Sequence, residues 1–511
     1  MVKRVALMAA ALAAGTVMAD VSLSGIFSDN MVLQRGKSVP VWGKAAPGEK
    51  VTVSFSGKTA EATADARGCW TAMLPALDVV KEGKELSVRG KNEIVLKNVL
   101  VGDVWLVSGQ SNSEMSFGWG IVDGAAEMAK AKDFPNIRVT KFRHETSPIE
   151  VKYRTCNSPW VVASDKTLKD ITAMGYFFAR DINGRTGVPI GLLDDNWSGC
   201  AIEPFISPSG LAHTKGFENE ERKIAAHREK VLAWCRQIAE SYKAGEVDFP
   251  GAAPADPYYT RQHNAMIAPI VKFPITGALW YQGCSNGGEG MSYANKLQAL
   301  VNGWRADWGY DFPFYVVQLA SFTAKTDDPA GGNGYAKIRN AMRIATQTMI
   351  PKSGLAVAID IGNAGDIHPK NKQDVGTRLA RWARRDVYGE KDLVVSGPIY
   401  KSMKVEDGKI RISFDHVGKG LAIAKKDPNK PGMPEFDNDL EAKLKGFAIA
   451  GEDKRWYWAN AEIDGEDVVV SAEEVAKPVA VRYAFRANPM GDCNLYNNEG
   501  LPASPFRTDE W

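Results

Sequence analysis

Between about residues 98 and 391, short apolar runs alternate with longer amphipathic stretches, and this restricts the fold more than any other feature. Val101–Val107, Ile190–Leu193, Ile275–Tyr281, Phe314–Leu319 and Leu355–Ile359 read as buried strands, too short for helices and bounded by turn residues. Ala173–Asn183, Asn219–Ala244, Tyr293–Trp308, Tyr335–Gln347 and Lys372–Arg385 carry helical spacing. Strand followed by helix, repeated, predicts an α/β domain with a parallel sheet covered by helices on both faces. The texture differs on either side. Residues 20–97 hold short β-type runs such as Val51-Thr-Val-Ser-Phe55 between Gly, Pro and Asp turns, which predicts a small β-sandwich. Residues 392–511 return to short strands, among them Lys409–Phe414 and Asp467–Ser471, and form a second β-domain and tail.

Lys3-Arg4 followed by the apolar run to Val17 and the small-residue exit at Ala19 has the form of a secretory leader, residues 1–19. Cleavage near Ala19 would leave a secreted or periplasmic protein, and no other apolar run reaches membrane-spanning length. Loss of Lys3 and Arg4 takes the formal charge from +2 to zero, so nothing points to nucleic acid as a partner. The six cysteines (Cys69, Cys156, Cys200, Cys235, Cys284 and Cys493) are far apart without a CxxC pair. We expect mostly free, buried thiols and no metal site.

The chemistry concentrates after the first strand, at Trp105-Leu-Val-Ser-Gly-Gln-Ser-Asn112. A serine on a tight turn at a strand end stands exposed in a cleft, and as a nucleophile it needs an imidazole and an orienting carboxylate. Six histidines make the search short. His144, His213 and His227 lie in polar surroundings and read as surface; His263 and His416 flank apolar runs and read as structural. His368 follows a strand and the loop Gly362-Asn-Ala-Gly-Asp366, and precedes Pro369, a residue favoured at a first helical position. Asp366, two residues earlier, can accept the ring N–H or simply cap the helix. A rival serine lies in Gly283-Cys-Ser285-Asn-Gly287, which has the Gly-x-Ser-x-Gly form of a nucleophile elbow, with Asp360 or Asp366 as its carboxylate. The segment Gly287-Gly-Glu-Gly290 argues against it, because an elbow turns straight into its helix.

Gly109-Gln-Ser-Asn112, Trp280-Tyr-Gln-Gly-Cys-Ser-Asn286 and Asp366-Ile-His-Pro369 together resemble the sialate O-acetylesterase family of SGNH hydrolases. Phe27–Gln34, Asn264–Pro269 and Asn497–Phe506 extend the resemblance over nearly the whole chain. It implies a flavodoxin-like three-layer catalytic domain flanked by β-domains, and a metal-free, cofactor-free serine esterase acting on O-acetylated sugars or glycans. Carried over, Ser111 is the nucleophile, His368 the base and Asp366 its orienting carboxylate. The Ser111 and Gly199 amides and the Asn286 side chain are the oxyanion donors. Gln110 and Gln282 are expected substrate contacts, with Trp280 at a strand end facing the cleft and Trp197 in the oxyanion loop. The flat faces of these two rings suit a sugar ring, although buried packing is at least as common for such rings. Arg339 is a weaker candidate for a sugar carboxylate, the alternative being a solvated helix face.

This chain departs from the family pattern at Gly109-Gln-Ser-Asn-Ser-Glu114, Trp197-Ser-Gly-Cys200 and Gln282-Gly-Cys-Ser-Asn286. The last puts Cys284 where the family carries glutamate; with no base or cation nearby in sequence, its thiol is expected to be unreactive. The alternatives are a deacetylase of acetyl-xylan or another polysaccharide, and a non-catalytic glycan-binding protein.

Overall fold

The computed structural model describes residues 20–153, 159–243, 253–437, 439 and 442–511. The leader of residues 1–19 and Cys156 fall outside them. At the centre is a run of seven strands within a sheet of eleven: β1 (Glu93–Gly109), β2 (Ile137–Lys141), β3 (Val161–Val162), β4 (Ile190–Asn196), β5 (Gly277–Tyr281), β6 (Phe314–Val317) and β7 (Ser353–Ala356). Their order is β3-β2-β4-β1-β5-β6-β7. All neighbours are parallel except the edge pair β3–β2.

The helices that build the site and the sheet's cover include α1 (Ser111–Glu114), α2 (Ala173–Thr186), α3 (Glu218–Lys243), α4 (Met291–Trp308), α5 (Gly334–Ile344) and α6 (Lys372–Asp386), with other short helices and turns between. Two tryptophans show how both faces of the sheet are covered. Trp105 on β1 stands beside Gly277 on β5, and its ring packs 4.8 Å from Phe178 of α2. Trp280, three residues beyond Gly277, points to the opposite face by strand alternation and packs 5.8 Å from Trp304 of α4. The expected α/β layering is therefore present, with β-rich segments before and after it.

β1 is long enough to serve two units. Its first half pairs antiparallel with Val80–Arg89 of the N-terminal β-rich segment, and its second half lies between β4 and β5. The expected boundary at residues 97 and 98 falls inside this continuous strand. The C-terminal segment carries three small sheets of four, three and four strands. Arg339 of α5 ties it to the α/β unit. The side chain is fully buried and donates to the carbonyls of Leu319, Ala320, Arg486 and Ala487 at 2.6–2.8 Å. It is neither a solvated helix face nor a sugar ligand.

The five described cysteines are free; Cys200 and Cys493 are buried, Cys69 and Cys284 half-buried, and Cys235, against expectation, exposed on α3. Among the described residues no helix is long and apolar enough to cross a membrane.

Candidate active site

The strand order reverses at β1: the chain leaves it for β2 and β4 on one side and later for β5 on the other. In an open parallel sheet this leaves a crevice beyond the carboxyl end of that strand. Ser111 stands there, as the first residue of α1. The turn that delivers it depends on Gly109, whose φ is +143° and whose missing Cβ would lie 2.3 Å from the Tyr281 carbonyl oxygen. Gln110 then donates its amide to that carbonyl at 3.0 Å and adopts an extended conformation before the helix.

His368 Nε2 lies 2.9 Å from Ser111 Oγ, although 257 residues separate them. The ring's Nδ1 is 3.3 Å from Asp366 Oδ1, and the same oxygen accepts the His368 amide at 2.9 Å. Asp366 thus shapes the loop and faces the imidazole; it does not cap α6. That helix begins at Lys372, with Asn371 as its cap, so Pro369 precedes it rather than opening it.

Burial pushes the His368 imidazole below the ordinary histidine range; Asp366 pulls the other way, and Lys372 and Lys370 reinforce the lowering. Burial would raise the Asp366 carboxyl, but the His368 amide and Lys370 hold it below its usual value. A neutral imidazole beside an ionised carboxylate is the state in which a serine proton can be accepted.

The opposite wall is the loop Trp197–Cys200, which Glu114 fastens to α1. The buried Glu114 carboxylate accepts the Ser198 amide at 2.9 Å, the Ser198 hydroxyl at 2.6 Å and His144 Nε2 at 3.1 Å. Trp197 donates its amide to the Gly109 carbonyl and stacks on the His144 ring at 4.7 Å. His144 is exposed as expected, yet it props this loop. Gly199 is exposed, with φ +73° and open space where a Cβ would be, so its backbone borders the cleft directly. The Ser111 amide, at the start of α1, has no intrahelical acceptor.

Several expected contacts are corrected here. Asn286 is buried, and its Nδ2 donates to Glu203 at 3.1 Å and to Glu289 at 2.8 Å, so both of its hydrogens are committed. Lys296 holds those two carboxylates together at 2.6 Å each. Gln282 is fully buried and donates to the Cys200 carbonyl and Asn286 Oδ1. Gln110 is also buried, accepting the Gly283 amide at 2.9 Å. Trp280 is core. Of the four expected substrate contacts Trp197 reaches the cleft, whereas Trp280 and Gln282 are fully buried with their polar atoms bonded inside the protein; Gln110 commits its side-chain oxygen to the Gly283 amide.

The rival serine is placed differently. Ser285 donates its hydroxyl to the Gly199 carbonyl at 3.1 Å, and Asp360 is buried against Arg378 at 2.6 Å rather than facing a histidine. Cys284 stands closer to positive charge than sequence suggested, since Arg339 and Lys372 both favour its thiolate. Burial outweighs them and pushes the thiol up.

Sequence reasoning missed Lys372. Its side chain is fully buried, burial pushes its amine down to about 7, and Nζ donates to Asn112 Oδ1 at 2.7 Å. Asn112 in turn donates to the carbonyl of Ile367 at 2.9 Å, between Asp366 and His368. This chain of bonds fixes the histidine loop against the serine helix. A lysine inside the first turn of a polar-looking helix gives no local sign of that role.

A model described as carbohydrate esterase, sialic acid-specific acetylesterase matches residues 242–385. A solved carbohydrate acetylesterase from Xanthomonas citri is 36% identical, covering 96% of this chain and 100% of its own, with a TM-score of 0.78. The chain belongs to this family of carbohydrate esterases. It is an esterase. Among further relatives of this esterase, the sialate O-acetylesterases of Rattus norvegicus and Homo sapiens are each 26% identical over 94% of this chain, and over 93% and 91% of their own lengths.

Proposed function

We propose that this esterase removes O-acetyl groups from sugars through an acyl-enzyme, with Ser111 as nucleophile, His368 as proton carrier and Asp366 as the carboxylate that orients it. The observation that carries the reading is the 2.9 Å contact between His368 Nε2 and Ser111 Oγ, backed by Asp366 at 3.3 Å. His368 takes the serine proton as Oγ attacks the acetyl carbonyl. The resulting oxyanion is met by the amides of Ser111 and Gly199, preorganised donors of the kind that stabilise such charge. His368 then protonates the departing sugar oxygen, and water activated by the same ring releases acetate. Residues from three separate segments around one hydroxyl make a purely glycan-binding role the weaker reading.

On the sugar side, O-acetylated sialic acids are the substrate that the rodent and human relatives suggest. A polysaccharide ester such as acetyl-xylan is the second reading, since the more similar Xanthomonas protein is a carbohydrate acetylesterase not restricted by name to sialic acid. The parallel sheet with helices on both faces supports a flavodoxin-like SGNH unit over residues 98–391, with β-domains at 20–97 and 392–511. Lys3-Arg4 and the apolar run behind them support export with cleavage near Ala19, which N-terminal sequencing of the exported protein tests.

The deciding experiment is acetate release from O-acetylated sialic acid and acetyl-xylan by wild type, Ser111→Ala and Ser285→Ala. Loss in Ser111→Ala alone supports the assignment. Loss in Ser285→Ala alone overturns it, and the preferred ester chooses between the two sugars.

A further inference from the structure

Two aromatic faces flank Ser111 that hydrolysis of an acetyl group by itself does not require. On the side of the base, Trp119 ends the turn Phe117–Trp119 and stays 43% exposed, while its ring meets the His368 imidazole edge-on at 5.6 Å. Its carbonyl accepts from Lys370 at 3.1 Å, which ties this turn to the histidine loop. On the oxyanion side, a cavity of about 630 Å³ opens beside Gly199 and Ser285, with Trp197 and Tyr258 in its wall. Trp197 is backed by His144. Tyr258 is 53% exposed and held by Tyr259 at 6.1 Å and by the Arg261 guanidinium, 5.5 Å from its ring centre.

Exposed or half-buried rings fixed by their neighbours on two sides of one reactive group offer faces on which a ligand can rest. The acetyl group reacts at Ser111, between His368 and Gly199, so each ring set lies to one side of it. A chain of sugars can set one ring against each of them. The flat apolar face of a Trp or Tyr suits the CH face of a sugar ring, while the indole N–H and phenol O–H can bond its hydroxyls.

We propose that the alcohol portion of the substrate is a chain of sugar rings, bound across Ser111 with one ring on Trp119 and another in the Trp197–Tyr258 cavity. This rests on the esterase reading of Ser111 and narrows its substrate to oligosaccharide or polysaccharide esters.

The test compares kcat/KM per acetyl group on acetylated xylose, xylobiose and xylotetraose, and on O-acetylated sialic acid free and at the end of sialyl-lactose. p-Nitrophenyl acetate reports the chemistry alone. The chain-to-monosaccharide ratio should be about tenfold or more in at least one series, the equivalent of about 1.4 kcal/mol. Trp119→Ala and Tyr258→Ala should each collapse that ratio, and Trp119→Phe should restore most of it. Trp458→Ala, at an exposed tryptophan on the C-terminal strand Trp456–Trp458, should keep the wild-type ratio. Because the readout is a ratio within one protein, partial loss of folded enzyme does not imitate it. Equal rates on monosaccharide and chain in both series, or ratios untouched by both alanine variants, overturn the proposal while leaving the esterase intact. Failure to hydrolyse even p-nitrophenyl acetate overturns both.

Discussion

Replacing Asp366 by Asn removes one charge from the proposed catalytic group and little else. The amide oxygen can still accept the His368 amide, which now bonds Oδ1 at 2.9 Å, so the loop keeps its shape. In the proposed mechanism, what is lost is the attraction between a carboxylate and the imidazolium that forms as His368 takes the serine proton. At the observed 3.3 Å that attraction is about 1.3 kcal/mol at the dielectric constant of water and about 5 kcal/mol at an effective value near 20. Asp366 is 37% exposed and shares its charge with Lys370, also at 3.3 Å, so screening favours the lower part of that range. A loss of about 1.5–3 kcal/mol corresponds to a fall of about 10- to 150-fold in kcat. The loss of about 10⁴-fold seen where an asparagine holds the imidazole in the wrong tautomer is not expected here, because Asp366→Asn would keep an oxygen that can accept from Nδ1. The assay is steady-state hydrolysis of p-nitrophenyl acetate by wild type, Asp366→Asn and Ser111→Ala. A fall as deep as that of Ser111→Ala would refute the electrostatic argument by making the carboxylate indispensable. A change below about threefold would refute it from the other side.

Activity should persist to a pH below the ordinary histidine value of about 6.5, because burial lowers the His368 pKa and protonation silences the base. Lys372→Met removes a nearby positive charge that opposes this protonation, so the acid limb of kcat/KM should move to higher pH; an unmoved or lowered limb contradicts the assignment. Gly109→Ala should abolish activity in soluble protein, since its Cβ would meet the Tyr281 carbonyl at 2.3 Å and turn the serine away; circular dichroism alongside the assay separates this from unfolding. Arg339→Met leaves four carbonyls without their donor and should lower stability to urea by about 3 kcal/mol or more, with early loss of the C-terminal sheets. Unchanged unfolding would show that these bonds do not hold the two units together.

Much of the fold was legible because its signals are local. The helix expected at Lys372–Arg385 is observed at Lys372–Asp386, and the strand expected at Asp467–Ser471 matches to the residue. Two departures have physical causes. The strand Ile137–Lys141 was not anticipated because Ile-Arg-Val-Thr-Lys looks half polar, although Arg138 is buried. The helix expected to reach Gln347 stops at Ile344, where the chain widens into a π-turn over Ala345–Met349. In the site, the Gly-Gln-Ser-Asn turn and the Asp-Ile-His loop were readable because a serine turn and a histidine loop carry their own glycine and aspartate markers.

The sequence by itself determined the alternation of strands and helices, the serine turn after β1 and the short list of histidines, since period and turn chemistry act within a few residues. Only the tertiary structure decided which polar groups face the cleft. Trp280, at its strand end, and Gln282 just beyond it were both expected at the cleft, yet packing buries them. Asn286 is taken up by Glu203, 83 residues away, and Lys372 by Asn112, 260 residues away. Burial and hydrogen-bond partnership belong to segments brought together by folding. A side chain's chemistry is written in the chain, but the number of its donors left free for a substrate is settled only when the distant acceptors arrive.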